Sequence, residues 1–141
     1  MIDIESKVFD MIYNAVTGSY PSADVTTGYD EKTATFPCVV VEEANNVPYQ
    51  KMNTDNCAEN YSRVTYDISV YSDTQGKAKT EGKAILAVCD TAMQGLKFRR
   101  LRKNRPVNIN RTIFRQYARY EVIVRQPITK GENTVYYLYR R

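Results

Sequence analysis

Tyr61-Ser62-Arg63-Val64-Thr65-Tyr66-Asp67-Ile68-Ser69-Val70-Tyr71 is the stretch that decides the fold. Val64, Tyr66, Ile68 and Val70 alternate with Arg63, Thr65, Asp67 and Ser69, the two-residue period of a strand with one buried and one wet face. The strand reading extends from Tyr61 to Asp73. Thr112 to Gln126 repeats the pattern, with Phe114, Ala118, Tyr120, Val122 and Val124 on one face. Arg115, Tyr117, Arg119, Glu121 and Arg125 take the other face, and Pro127 ends the strand.

Upstream of Tyr61, the β-branched run Phe36 to Glu43 predicts a short strand, with Pro37 near its start, where a missing N–H is tolerated. Ala44 to Asn60 follows as an Asn-rich loop. A loop of that length in a small domain marks a contact arm, and Tyr49, Lys51 and Met52 are its candidate contact residues. Ser19 to Thr35 also reads as loop.

Two segments carry helical spacing. Ile4, Val8, Met11, Ile12 and Ala15 form one apolar stripe, with Asp3 as cap and Gly18 followed by Pro21 as stop. Asp73-Thr74-Gln75 opens the second, which runs to about Gln94 with Ala78, Ile85, Val88, Cys89, Ala92 and Leu96 on one face. Gly95 stops it, and Gly82 weakens its first turns and moves its start later. Past Pro127, Thr129 to Asn133 is turn chemistry and Thr134 to Tyr139 pairs back as a hairpin. The order predicts an α+β domain spanning 1–141, with a mostly antiparallel sheet of about four to five strands and two helices packed on one face.

Charge is sharply partitioned. Up to Leu96 the chain has 7 Lys/Arg against 14 Asp/Glu, net −7; from Lys97 onward it has 13 against 2, net +11. The overall +4 conceals this polarity. Opposite-signed faces on one small domain steer docking onto further copies or onto a polyanion. Twelve tyrosines and no tryptophan place area with a polar tip on half-exposed strand faces and subunit contacts.

Catalytic chemistry finds little support. There is no histidine, which removes Ser-His-Asp and Cys-His arrangements and the usual zinc sites. Gly76-Lys77 fails the phosphate-loop pattern, because Tyr71 stands at the first glycine position and Ala78 follows the lysine. Cys38, Cys57 and Cys89 are widely spaced, which fits a reducing cytoplasm and neither a disulfide framework nor a zinc site. The carboxylates do not cluster in any way that points to Mg²⁺ or Ca²⁺. No signal peptide and no membrane-length apolar run is present, so the expectation is a soluble intracellular protein without cofactor or metal.

The basic half holds two groups. Arg99, Arg100, Arg102 and Lys103, with Arg105 beyond, follow the second helix on a short strand or loop. Arg115, Arg119 and Arg125 with Tyr117 lie on the exposed face of the long strand. Arginines interleaved with aromatics fit a nucleic-acid groove, a solvated face, or an interface with the acidic half of a neighbouring copy. No nucleic-acid motif singles out the first.

The order of elements carries a resemblance. The N-terminal helix, the Phe36-Pro37 strand ending in Glu42-Glu43, the Asn-rich loop, the Tyr61 to Tyr71 strand, the Ala-rich helix closing on Gly95 to Arg100, and the basic strand Arg115 to Val122 together resemble the tail terminator, or tail completion, proteins of long-tailed bacteriophages and phage-tail-like particles. The resemblance covers about Ile4 to Tyr139; the Ala44–Asn60 loop is longer than the family pattern. It implies a structural virion protein of the tail or neck, assembled in the bacterial host cytoplasm, with no catalytic residues. Such proteins form a hexameric ring on the last disc of the tail tube, stop its polymerisation and join the tail to the head connector. The implied partners are further copies of the chain, the tail tube protein, the head–tail connector or stopper, and the sheath terminus where the tail is contractile. DNA passes through the lumen without sequence-specific binding, and no membrane is involved. On this reading Arg99, Arg100, Arg102 and Lys103 face the lumen or a neighbour, and Arg115, Tyr117, Arg119 and Arg125 form a subunit or tube contact. Other head–tail connector and head-completion rings share the pattern. A monomeric basic α+β module that binds nucleic acid is the alternative from a different class.

Overall fold

The structure is a computed structural model that describes residues 3–27, 36–48, 61–73, 77–104, 107–108, 113–125, 128–130, 133–135 and 138–139. Its elements run α1 (Glu5–Ser19), β1 (Asp24–Thr26), β2 (Cys38–Pro48), β3 (Tyr61–Ser72), α2 (Ala78–Gly95), β4 (Arg99–Lys103), β5 (Val107–Asn108), β6 (Phe114–Arg125), β7 (Ile128–Lys130), β8 (Asn133–Val135) and β9 (Leu138–Tyr139). The main sheet follows β1-β2-β3-β6-β4, antiparallel except for the parallel β1–β2 pair, and β7–β8 form a separate ribbon. The expected α+β class holds.

The two alternating segments are the centre of this sheet. β3 and β6 pair without a slip from Tyr61 opposite Arg125 to Ser72 opposite Phe114. With β3 along one edge of β6, three short strands share the other: β5 at Arg115 and Phe114, β4 from Glu121 to Ala118, and β9 at Val124 and Ile123. Val64, Tyr66, Ile68 and Val70 of β3 and Ala118, Tyr120, Val122 and Val124 of β6 face the helices and are buried. Ile4, Val8, Ile12 and Val16 from the α1 end and Ile85, Leu86, Cys89, Ala92 and Met93 of α2 close over them. Phe98 fills the core beneath the α2 exit and meets Tyr66 edge-on at 5.9 Å.

Several expectations change. The loop expected over Ser19–Thr35 contains β1, whose three residues were too few to show a period. β2 does not stop at Glu43; it runs to Pro48 through a register shift between Glu43 and Asn45, so Ala44–Pro48 is strand rather than loop. Its last residues are mostly exposed because they lie on an edge, not because they form a turn. α2 starts at Ala78, later than Asp73 as Gly82 implied, but its buried face also includes Leu86 and Met93. Met11 is 39% exposed, whereas Val16 takes the buried position. Among the tyrosines whose burial is described, most are not surface residues: Tyr66 and Tyr120 are fully buried, and Tyr71 and Tyr117 nearly so. The remainder of the expected contact loop, with Tyr49, Lys51 and Met52, lies outside the described residues.

Candidate interaction surface

The sheet face away from the helices is half covered rather than wet. Cys38, Val40, Tyr71 and Ile113, with Phe36 against them, form a second small apolar cluster at one end. Beyond it runs a charged ladder built by the β3–β6 register. Arg119 sits opposite Asp67 and grips it with both arms of its fork, Nε donating to Oδ1 at 2.8 Å and Nη2 to Oδ2 at 3.0 Å. Burial works against the Asp67 carboxylate, but the Arg119 bonds, a hydrogen bond from Tyr117 and the charges of Arg119 and Arg102 outweigh it, so the carboxyl titrates below its ordinary range. The same pairing raises the Arg119 pKa.

Tyr117 is only 8% exposed. The Arg115 guanidinium lies 4.9 Å from its ring centroid and that of Arg102 lies 5.9 Å away. Arg115 also donates to the Ser69 hydroxyl through Nε at 3.3 Å and Nη2 at 3.1 Å. Glu121, in the same row, is opposite Thr65 and Arg99 and within 4.0 Å of Arg63. Arg125 is exposed at the end of β6. The row Arg115, Tyr117, Arg119 is therefore not the open face expected from alternation alone. Its groups answer one another across strands, because every second residue of β3 is polar and in register with it.

The other basic group does lie open. All five residues of β4 are exposed, Leu101 at 40%. Register puts Arg99 and Arg102 on the outer sheet face, opposite Glu121 and Arg119, and Arg100 and Lys103 on the helix face, opposite Tyr120 and Ala118. Asp90 of α2 anchors one end of this strand: it accepts from Arg100 Nη1 at 3.1 Å, the Tyr120 hydroxyl at 2.7 Å and Gln94 Nε2 at 2.7 Å. A shallow groove of about 270 Å³ lies between α2 and β4, floored by Leu86, Ala118 and Tyr120 and rimmed by Lys83, Asp90 and Arg100.

At the opposite side of the sheet the structure gathers carboxylates that are far apart in sequence. Asp3, Glu5 and Glu43 bring oxygens within 4.8 Å of one another. Sequence order hid this cluster, because Glu43 reaches the start of α1 only once β2 packs beneath that helix. Burial, with Asp3 and Glu5 adding to it, raises the Glu43 pKa despite an opposing hydrogen bond from Asn46. The buried Tyr66 hydroxyl, whose residue is opposite Glu43, has no partner among the described residues and is pushed up by burial and then by the same three carboxylates. These exposed carboxylates are the described group with the composition to hold a hard cation.

The buried thiols offer no nucleophile at neutral pH. Burial pushes Cys38 up to about 11 and Cys89 up to about 12. No described helix is long and apolar enough to cross a membrane.

Compared with known families, residues 13–125 match the model of the tail completion protein gp17 family. The chain belongs to that family. No curated protein matches the chain. Membership makes this tail completion protein a structural component of a bacteriophage tail, one that contacts other tail or head proteins. The matched span covers α1 from Tyr13, the whole β1-β2-β3-β6-β4 path and α2, and ends at Arg125, the last residue of β6.

Proposed function

We propose that this chain acts as one domain that assembles into a hexameric ring, caps the tail tube, stops its polymerisation and joins the tail to the head connector. The observation that carries this reading is the charge polarity of the sheet. Exposed Glu42 and Glu43 with Asp3 and Glu5 lie toward the β2 side, and exposed Arg99, Arg100, Arg102 and Lys103 lie on β4 at the other. A head-to-tail ring requires two different, complementary faces on every copy. DNA would pass through the ring without being read, and the ring would sit in the neck of the virion against the tube, the stopper and, in a contractile tail, the sheath terminus.

The rival, a monomeric nucleic-acid module, requires an aromatic able to stack on bases. Tyr117, the aromatic among the ladder arginines, is too buried to offer a ring face.

The test is negative-stain electron microscopy of the full chain across a concentration series, with light scattering for mass. Closed rings of six copies support the reading. A monomer at every concentration, with steeply salt-dependent DNA binding, would replace it with the nucleic-acid module.

A further inference from the structure

The main sheet ends in two strand edges of opposite charge that point away from each other. At one end β1 pairs with β2 over Cys38–Val40 alone. From Val41 to Pro48 no strand among the described residues pairs with the outer side of β2. Glu42 and Glu43 are exposed there. At the other end β4 presents Arg99, Arg100, Arg102 and Lys103 along an outer edge with no strand beside it among the described residues. An unpaired edge is a ready template for another strand, and proteins control it with charge.

We infer that β4 of one copy pairs with the open stretch of β2 in the next, so that the sheet continues from subunit to subunit. This rests on the ring reading above and names the contact that would build it. Like edges repel: β4 against β4 sets arginine on arginine, and β2 against β2 sets glutamate on glutamate. The unlike pairing is attractive, so the chain permits the heterologous contact and disfavours the two symmetric ones.

Direction and facing agree with that pairing. β2 runs antiparallel to β3, β3 to β6 and β6 to β4, so β4 is antiparallel to β2 in the same sheet. A neighbour that keeps its orientation would continue the alternation. Cys38 and Val40 belong to the outer-face cluster, and Val39 and Val41 to the helix-face core, so Glu42 lies on the outer face and Glu43 on the helix face. In a continuous sheet, Arg99 and Arg102 would stand beside the neighbour's Glu42. Arg100 and Lys103 would stand beside its Glu43, Asp3 and Glu5. Five residues of β4 span about 17 Å, which fits within Val41–Pro48. The carboxylate cluster, costly to a lone subunit, gains its counter-charge on assembly.

Paired charge reversals test the contact. Glu5→Lys, Glu42→Lys and Glu43→Lys together make the acidic edge net basic, with Asp3 left; Arg99→Glu, Arg102→Glu and Lys103→Glu together make the basic edge net acidic, with Arg100 left on Asp90. Each triple variant alone should lose its rings by light scattering and electron microscopy while keeping the wild-type circular dichroism. Their equimolar mixture should recover rings, because each variant's β4 then meets an opposite-signed β2, and a six-membered ring can alternate the two. The chain carrying all six changes should also recover them. Rings in every variant alone, or no recovery in the mixture and in the sixfold variant, would overturn the edge contact and leave the ring reading standing. Absence of rings in the wild type would instead remove both.

Discussion

The Asp67–Arg119 pair should be worth more than an ordinary surface ion pair. Both fork arms of Arg119 reach the carboxylate at hydrogen-bond distance, and the side chains are 33% and 17% exposed. Hydrogen bonds to charged groups contribute about 1.5–3 kcal/mol and solvent-exposed pairs about 0–1 kcal/mol. Partial exposure places this pair between, with a coupling of about 1.5 kcal/mol. The measurement is a double-mutant cycle of Asp67→Ala, Arg119→Ala and both together, by urea unfolding at neutral pH under conditions where the protein is monomeric. In thermal unfolding the same coupling corresponds to about 5 °C for a chain of this size. Because the Asp67 pKa is lowered by folding, its contribution is complete above the unfolded carboxyl pKa of about 3.9 and disappears as pH falls through the folded value. The coupling should therefore be flat from pH 7 down to about pH 5 and decline below about pH 4. Arg119→Glu sets a second carboxylate against Asp67 and should destabilise the subunit itself, so a loss of assembly in that variant would report folding and not an interface. A coupling below about 0.3 kcal/mol, or an unchanged stability of Arg119→Glu, would refute the argument.

Two further outcomes follow from packing and charge. Gly82→Ala places a methyl 3.1 Å from Cγ of Gln116, a fully buried side chain whose Nε2 donates to the Lys79 carbonyl; overpacking should outweigh the helix-propensity gain of about 1 kcal/mol, giving a net loss of about 1 kcal/mol by urea unfolding that Gln116→Ala in the same chain relieves. Glu43→Gln should raise the monomer melting temperature by about 1–2 °C at pH 7. Its folded pKa is raised, so the charged form is disfavoured by folding, and the gain should disappear below about pH 4, where the carboxyl is protonated in both states; a gain that persists there would refute the charge explanation.

The parts of the fold legible in the sequence were those with long, unbroken periods. β3, β6 and the buried positions Val8 and Ile12 of α1 are set by apolar spacing that local chemistry imposes on each segment. Short and edge elements were not legible. β1 has three residues, and the end of β2, Ala44–Pro48, is mostly exposed and shows no apolar alternation, because an edge strand need not bury a face. The basic groups separated in the same way. β4 remained as open as its composition implied, but the half-buried Arg115 and Arg119 and the buried Tyr117 are engaged by partners on β3 some fifty positions away, Asp67 being 52 residues from Arg119.

What the sequence by itself determined was the α+β class, the central pair of alternating strands, the tail completion resemblance and the polarity between an acidic first part and a basic second. The class, the strands and the polarity are properties of composition and local period; the resemblance rests on the order of the elements. Only the tertiary structure decided which charges remain available. Strand register set Arg119 on Asp67 and Arg115 on Ser69, and the packing of α1 over β2 drew Asp3, Glu5 and Glu43 together. Sheet order then placed β2 and β4 at opposite ends, so that the polarity written along the chain became a polarity across the molecule. The physical reason is that ion pairs and edges are relations between segments distant in sequence, and their partners exist only once the strands have been ordered side by side.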